Sequence, residues 1–337
     1  MPNENKNVLL ICGGGGTEHE ISLISAKFIL EHLKTIAGVT PYYVEITKDG
    51  TRRDINGKKC ELRKAGEIVW PEDETKVDLH YAIPCIYGPP GETGDIQGVF
   101  EMMGLPYLGA NPESSRLCFN KVSTKLWLDA LEVPNTPYLF LSELSDEAIE
   151  KTTAFFKKTS GDIFIKAASQ GSSVGCYHVT SEADIKKYLE EAFNYSAYVL
   201  IEQTVIGREL EVAVYEYEGE LQCSAPGEII CPSKFYSYEE KYSDNSKTLT
   251  LPLAENLDAK VVEQIKYYAM KAFRGLKLKD LARIDFFYTD DGKIYLNEPN
   301  TFPGHTKISM FPMMMKQNGH NYKTFLEYLI AHHARNL

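Results

Sequence analysis

One stretch near the C-terminal end, ARIDFFYTDDGKIYLNEPN (residues 282–300), constrains this chain more than any other. Two runs of strand-forming residues flank Asp291-Gly292, a favoured two-residue turn because glycine supplies the positive φ such turns need. A regular hairpin on that turn sets Asp290 across from Lys293 and Asp285 directly across from Glu298, with Cβ atoms about 4.5–5.5 Å apart. Asn300 lies two residues beyond Glu298 and shares its face. Like charges opposed in a sheet repel unless something compensates them. A hard divalent cation does so, and Mg²⁺ commonly takes one or two carboxylates together with substrate phosphates. Asp285, Glu298 and Asn300 are therefore the candidate metal ligands. The alternative, both carboxylates turned to solvent, fits less well, because Ile284, Phe286 and Leu296 leave one face for polar groups. Arg283 is assigned to the opposite face by alternation, from which it reaches an anion only around the strand end.

The rest of the chain reads as mixed α/β. NVLLICGG is a buried strand, and Ser22–Leu33 is a helix with Leu23, Ala26, Leu30 and Leu33 on one face. YYVEIT, YAIPCIYG and PYLGA read as further strands, with DIQGVFEMMG as a helix before the last. That alternation indicates a parallel first domain, with GANPESS as a junction near residue 112 and a helix over Lys121–Leu131 beyond it. From about Ala154 the pattern becomes α+β, with hairpins and a helix over Ala183–Phe193. A third region holds the polar loop KFYSYEEKYSDNSKT, a helix over Asp258–Phe273, the hairpin and a closing helix over Tyr322–Ala334. A chain of 337 residues is long enough for two or three domains. Its formal charge of -11 argues against an extended nucleic-acid or anionic-membrane surface, though a nucleotide needs only a few local cations. No apolar run is long enough for a membrane span, and the opening MPNENKNVLLICGG is too polar for a signal peptide. The seven cysteines are scattered and odd in number, which fits reduced thiols in a cytoplasm rather than a disulfide frame.

Two glycine-rich segments compete as phosphate sites. In ICGGGGTEHEIS, the dinucleotide fingerprint fails because glutamate or histidine falls where its third glycine belongs. The four glycines are read as a tight turn. Glu18 and Glu20 sit near a helix start, where carboxylates are favoured by the dipole; helix capping and receipt of a substrate ammonium group both stand. In KAASQGSSVG, Gly171, Ser172, Ser173 and Gly175 form a small tip between strands, with Lys166 behind it. Backbone N–H groups and hydroxyls there are able to cover phosphates, but a plain turn is the alternative. His305 is read as a solvent-facing or core-edge residue, MFPMMMK as packing near the closing helix, and His332-His333 as complements to its dipole.

Taken together, GGGGTEHEISL, YGPPGETGDIQG, KAASQGSSVG, YEEKY, ARIDFF and LNEPNTFPGHTKIS resemble, in order, the D-alanine–D-alanine ligases of the ATP-grasp superfamily. The resemblance runs nearly end to end. It implies a three-domain ATP-grasp fold: an N-terminal Rossmann-like α/β domain (1–112), a central ATP-grasp subdomain (113–206) and a C-terminal subdomain with metal site and lid loop (207–337). It implies ATP and two Mg²⁺ or Mn²⁺ ions as cofactors, D-alanine as small-molecule substrate, and a cytoplasmic homodimer serving peptidoglycan synthesis. It assigns Asp285, Glu298 and Asn300 to the metal, Lys121, Lys166 and Lys241 to the phosphates of ATP, and Glu202 and Glu209 to adenine and ribose. Glu18 corresponds to the carboxylate that holds the first D-alanine's ammonium group, with Ser172 and Tyr242 as its partners. Arg283 and the Gly304 N–H match the oxyanion donors, and Ser309 the hydroxyl for the second substrate's carboxylate.

Four positions depart from the family's pattern, and the first two lie in the YGPPGETG loop near the second substrate. Tyr87 stands where the family usually has histidine and Thr93 where it has aspartate; Asn120 replaces an aspartate, and Pro299 a small aliphatic residue. They leave room for a relative that joins D-alanine to D-serine, D-lactate or another amino acid. A nucleotide sensor without catalysis fits the intact Asp285/Glu298/Asn300 set poorly, and an NAD oxidoreductase fails with the glycine fingerprint.

Overall fold

The computed structural model describes residues 5–231 and 248–336. The first apolar run forms the strand Lys6–Gly13 at the heart of a four-stranded sheet. Val39–Ile46 and Tyr81–Cys85 flank it in parallel, and Arg52–Asp54 adds an antiparallel edge. Its side chains alternate between two cores. Val8, Leu10 and Cys12 pack with the helix His19–Leu33, while Leu9 and Ile11 pack with the helix Asp95–Met102. Both faces are covered, which is why the run is apolar throughout.

PYLGA, expected as a strand, makes only a single parallel bridge between Tyr107 and Ala82. Pro106 lacks a donor, and Gly109 turns at φ +98, so too few residues remain between them to extend a ladder. A small antiparallel sheet of Glu61–Arg63, Glu67–Trp70 and Thr75–Asp78 adds to this region. GANPESS does more than join: it opens the helix Pro112–Phe119, with Pro112 in the first turn and Asn111 accepting the Ser114 N–H at 2.8 Å. The helix Lys121–Ala130 follows directly, capped by Asn120.

The middle of the chain builds a four-stranded antiparallel sheet in the order Cys176–Val179, Ile163–Ala167, Val199–Gln203, Tyr138–Leu141. The helices Asp146–Lys158 and Ile185–Phe193 cover one of its faces. A six-stranded antiparallel sheet follows, in which Leu281–Tyr288 lies between Arg208–Tyr217 and Ile294–Asn300. Leu210, Val212, Val214, Ile284 and Phe286 turn toward the helix Ala259–Gly275, which leaves the other face to polar groups. Lys241, Tyr242 and most of the loop expected to act as a lid lie outside the described residues.

The last two helices, Met310–Gln317 and Tyr322–His333, return to the beginning of the chain. Phe311, Phe325 and Leu329 form one core with Val8, Leu10 and Ile29 of the first sheet and with Tyr215 and Leu281 of the last. Cys12, Cys60, Cys85, Cys118 and Cys223 are buried free thiols. Among the described residues no helix is long and apolar enough to cross a membrane. Phe311 is 0 % exposed in the shared core. Phe311→Ala is expected to lower unfolding stability by about 3–5 kcal/mol, read from the shift of the urea midpoint.

Candidate active site

The site is built on the third sheet, where three carboxylates stand in one row. Asp285 pairs with Glu211 on one neighbouring strand and with Glu298 on the other. The register arises differently from the regular hairpin expected. The Thr289 N–H donates to the Lys293 carbonyl at 3.0 Å around a three-residue turn, Asp290–Gly292, with Gly292 at φ +81. That turn offsets the two strands by one residue, so Tyr288 faces Ile294. A bulge between Asp285 and Phe286 shifts them back by one residue, so Asp285 again faces Glu298. The bulge also changes the facing of the second strand. Leu296 joins the hydrophobic core, whereas Glu298, two residues later, lines the cleft.

Arg283 does not face away. Residues two apart in a strand share a face, and its Nε and one terminal nitrogen each donate to an Asp285 carboxylate oxygen at 2.8 Å. Its Nε also lies 3.3 Å from Glu211 Oε2. Burial opposes the guanidinium charge, but Asp285 and Glu211 outweigh it and raise its pKa. Asn300 completes the row, placing its amide nitrogen 2.9 Å from Asp285 Oδ2.

The other predicted residues among those described converge on the same cleft of about 1520 Å³, which lies between the second and third sheets and also takes in the first helix. Glu18 occupies the N-cap position of the helix His19–Leu33, yet its side chain caps nothing. It accepts instead from the Ser172 hydroxyl at 2.6 Å. Ser172 and Ser173 hold positive φ values of 48 and 62, which turns this tip toward Glu18. Lys121 donates to the Gln170 carbonyl at 2.7 Å and lies 3.9 Å from Glu298 Oε2. Lys166 pairs with Glu202 at 2.6 Å. Glu209, Gly304 and Ser309 line the cleft as well. Ser309 Oγ accepts the Thr306 N–H at 3.0 Å and would lie 3.0 Å from a Cβ placed on Gly304, so that glycine leaves room where the loop folds back.

Three further groups belong to the site. Glu211 was legible from its position two residues after Glu209 on one strand. Lys125 lies one helical turn beyond Lys121; it is buried and pairs with the second oxygen of Glu202 at 2.5 Å. Burial disfavours the Glu202 charge, but Lys125 and Lys166 together outweigh it and hold the carboxyl down at about 2. Glu92 accepts the Gly88 N–H at 2.7 Å. Burial, then the charge on Glu18, pushes its pKa up to about 7.

Tyr87 departs from the family pattern, and its hydroxyl is engaged. It lies 2.8 Å from Ser25 Oγ and 3.3 Å from the Pro303 carbonyl, and accepts the His305 N–H at 3.2 Å. It therefore fixes the segment that carries Gly304. His305, expected at the surface or core edge, is fully buried among Phe302, Phe311 and Tyr322. Burial lowers its pKa to about 3. Its ring Nδ1 lies 3.0 Å from the Tyr322 hydroxyl.

A cleft between two sheets, with lysines on one side and an acidic row on the other, is the architecture of an ATP-grasp ligase. The family models described as D-ala D-ala ligase N-terminus and D-ala D-ala ligase C-terminus match residues 7–110 and 127–331. The chain is 52% identical over 324 residues to the D-alanine–D-alanine ligase of Shewanella pealeana, covering 95% of this chain and 96% of that one. It superposes on the D-alanyl-alanine synthetase A of Vibrio cholerae with a TM-score of 0.90 at 48% identity, covering 97% of both chains. It also superposes on the VanG D-Ala:D-Ser ligase of Enterococcus faecalis with a TM-score of 0.86 at 27% identity, covering 97% of this chain and 99% of that one. The chain belongs to the D-alanine–D-alanine ligase family.

The raised pKa of Glu92 has a signed consequence. Between its ordinary value of 4.5 and about 7 the folded state binds more protons than the unfolded state, so stability falls as pH rises through that window. Glu92→Gln, which keeps an acceptor for Gly88, is expected to gain stability over the parent as pH rises from 5 to 8. Thermal unfolding of both proteins at the two pH values, without substrates, checks this.

Proposed function

We propose that this chain joins two D-alanines into D-alanyl-D-alanine, with ATP converted to ADP and phosphate through an acyl phosphate. One observation carries the reading: a single cleft brings the acidic row, Lys121 and Lys166, and the Glu18–Ser172 pair together. A carboxylate is a poor acyl donor until its oxygen becomes a better leaving group. Transfer of the γ-phosphoryl group to the first D-alanine's carboxylate achieves this. The amine of the second D-alanine then attacks the acyl carbon, and phosphate leaves.

Each group has a role in this scheme. Glu18 receives the first ammonium group, with Ser172 beside it. Lys121 and Lys166 meet the phosphates, Glu202 and Glu209 the nucleoside, and Lys241 and Tyr242 carry the roles implied by resemblance. Arg283 and the Gly304 N–H face the developing oxyanion, where fixed donors stabilise charge without reorganising. The bidentate grip of Asp285 keeps that guanidinium in place. Ser309 offers its hydroxyl to the second carboxylate.

The acidic row suits a hard cation, since Glu211, Asp285, Glu298 and the carbonyl of Asn300 offer oxygen donors. Asp285, Glu298 and Asn300 would hold Mg²⁺ or Mn²⁺, one ion or two, which neutralises phosphate charge when bound. Tyr87 supports D-alanine over an altered second substrate, because its hydroxyl is committed to Ser25 and the Pro303–His305 segment. Cytoplasmic supply of a peptidoglycan precursor and a homodimeric assembly belong to the same reading.

The test is ATP turnover with D-alanine alone, then with D-serine or D-lactate added, and products identified by mass. D-alanyl-D-alanine as main product in every mixture is expected; a mixed product in preference to it would move the chain to the other reading. Asp285→Ala is expected to reduce phosphate release by at least about 100-fold at ordinary Mg²⁺. Turnover near the parent's would remove the metal role from this row.

A further inference from the structure

A second group of ligating side chains lies outside the cleft. Asp280 precedes the metal-bearing strand, Glu216 lies near the end of the neighbouring strand Arg208–Tyr217, and His333 ends the last helix. One ligand atom from each falls within 4.8 Å of the others. Asp280 is 0 % exposed. Its Oδ2 accepts the Gly109 N–H at 2.8 Å and lies 3.8 Å from Lys279 Nζ. Its Oδ1, by contrast, is buried with no hydrogen-bond donor and lies 3.7 Å from His333 Nε2. The Tyr81 hydroxyl is likewise buried without a hydrogen-bond partner, and the charges of Asp280 and Glu216 both bear on it.

Buried carboxylate oxygens are normally hydrogen-bonded, and a buried charge without compensation is costly. The half-exposed Lys279 addresses only Oδ2. What remains is one oxygen of Asp280, one of Glu216 and an imidazole nitrogen, all within 4.8 Å of one another. Two carboxylates with one imidazole form a donor set that zinc takes, at metal–ligand distances of about 2.0–2.2 Å. Side-chain shifts of roughly an ångström bring the three atoms to such distances. A nitrogen donor favours zinc over magnesium.

We propose that Glu216, Asp280 and His333 bind a zinc ion that clamps the end of the last helix to the seam between the first and third sheets. The seam is the right place for a clamp, since Asp280 already holds the Gly109 backbone of the first domain. The ion plays no part in ligation, and His333, at the cluster's solvent side, is its removable ligand.

The test uses the full chain, stripped with a chelator, desalted and given one equivalent of zinc chloride. Bound zinc is counted by elemental analysis and the thermal midpoint recorded without nucleotide. The parent is expected to retain one zinc per chain and to gain a few degrees, since a ligand that binds only the folded state stabilises it. Glu298→Gln, which weakens the acidic row in the cleft, should keep both effects. His333→Ala should lose both while retaining its turnover in zinc-free buffer. Glu216→Gln should lose them as well. Equal retention and an equal shift in His333→Ala, or no zinc-dependent change in the parent, would overturn the proposal.

Discussion

The cleft depends on one alignment: Glu211, Asp285 and Glu298 side by side across three strands, with Arg283 pinned among them. Such a row is unfavourable as it stands, because like charges opposed in a sheet repel. The guanidinium offsets part of that cost. Its bidentate hold on Asp285 also fixes both side chains, so the same interaction that makes the row tolerable orients the guanidinium proposed as an oxyanion donor. The surrounding structure serves this arrangement. The core helix Ala259–Gly275 packs the opposite face, while the second sheet brings Lys166, and the helix Lys121–Ala130 brings Lys121, to the cleft.

Much of this was legible from residues alone. The two carboxylates face each other as the hairpin argument requires, yet by a route the argument did not contain. Counting from a two-residue turn gives the correct partner only because the longer turn and the bulge shift the register by one residue each in opposite directions. Strict period-two reasoning fails at the bulge: Leu296 and Glu298 have the same parity and opposite surroundings. Arg283 is the converse case. The period of two places it beside Asp285, and the assignment to the far face misapplied it.

Other features left weaker traces. The helix Asp146–Lys158 carries a clear start, with Ser145 accepting the Ala148 N–H and two acids in the first turn, but few apolar residues mark its face. Lys125 reads as an ordinary helix lysine until the fold buries it against Glu202. His305 reads as solvent-facing or core-edge because part of its burial comes from Tyr87 and Tyr322, which lie 218 and 17 residues away. Side chains whose environment is assembled from remote segments are those that pattern alone describes least well.

The core shared between the first sheet and the last two helices bears on how the chain is made. Val8, Leu10 and the helix His19–Leu33 share one core with Phe325 and Leu329, which leave the ribosome long after them. Until then that core is incomplete, although its strands and first helix are already present. Apolar surface left exposed in an incomplete core is prone to associate with other chains during synthesis. Nascent copies therefore depend on protection by a chaperone, or on dilution, for longer than the compactness of the first hundred residues suggests.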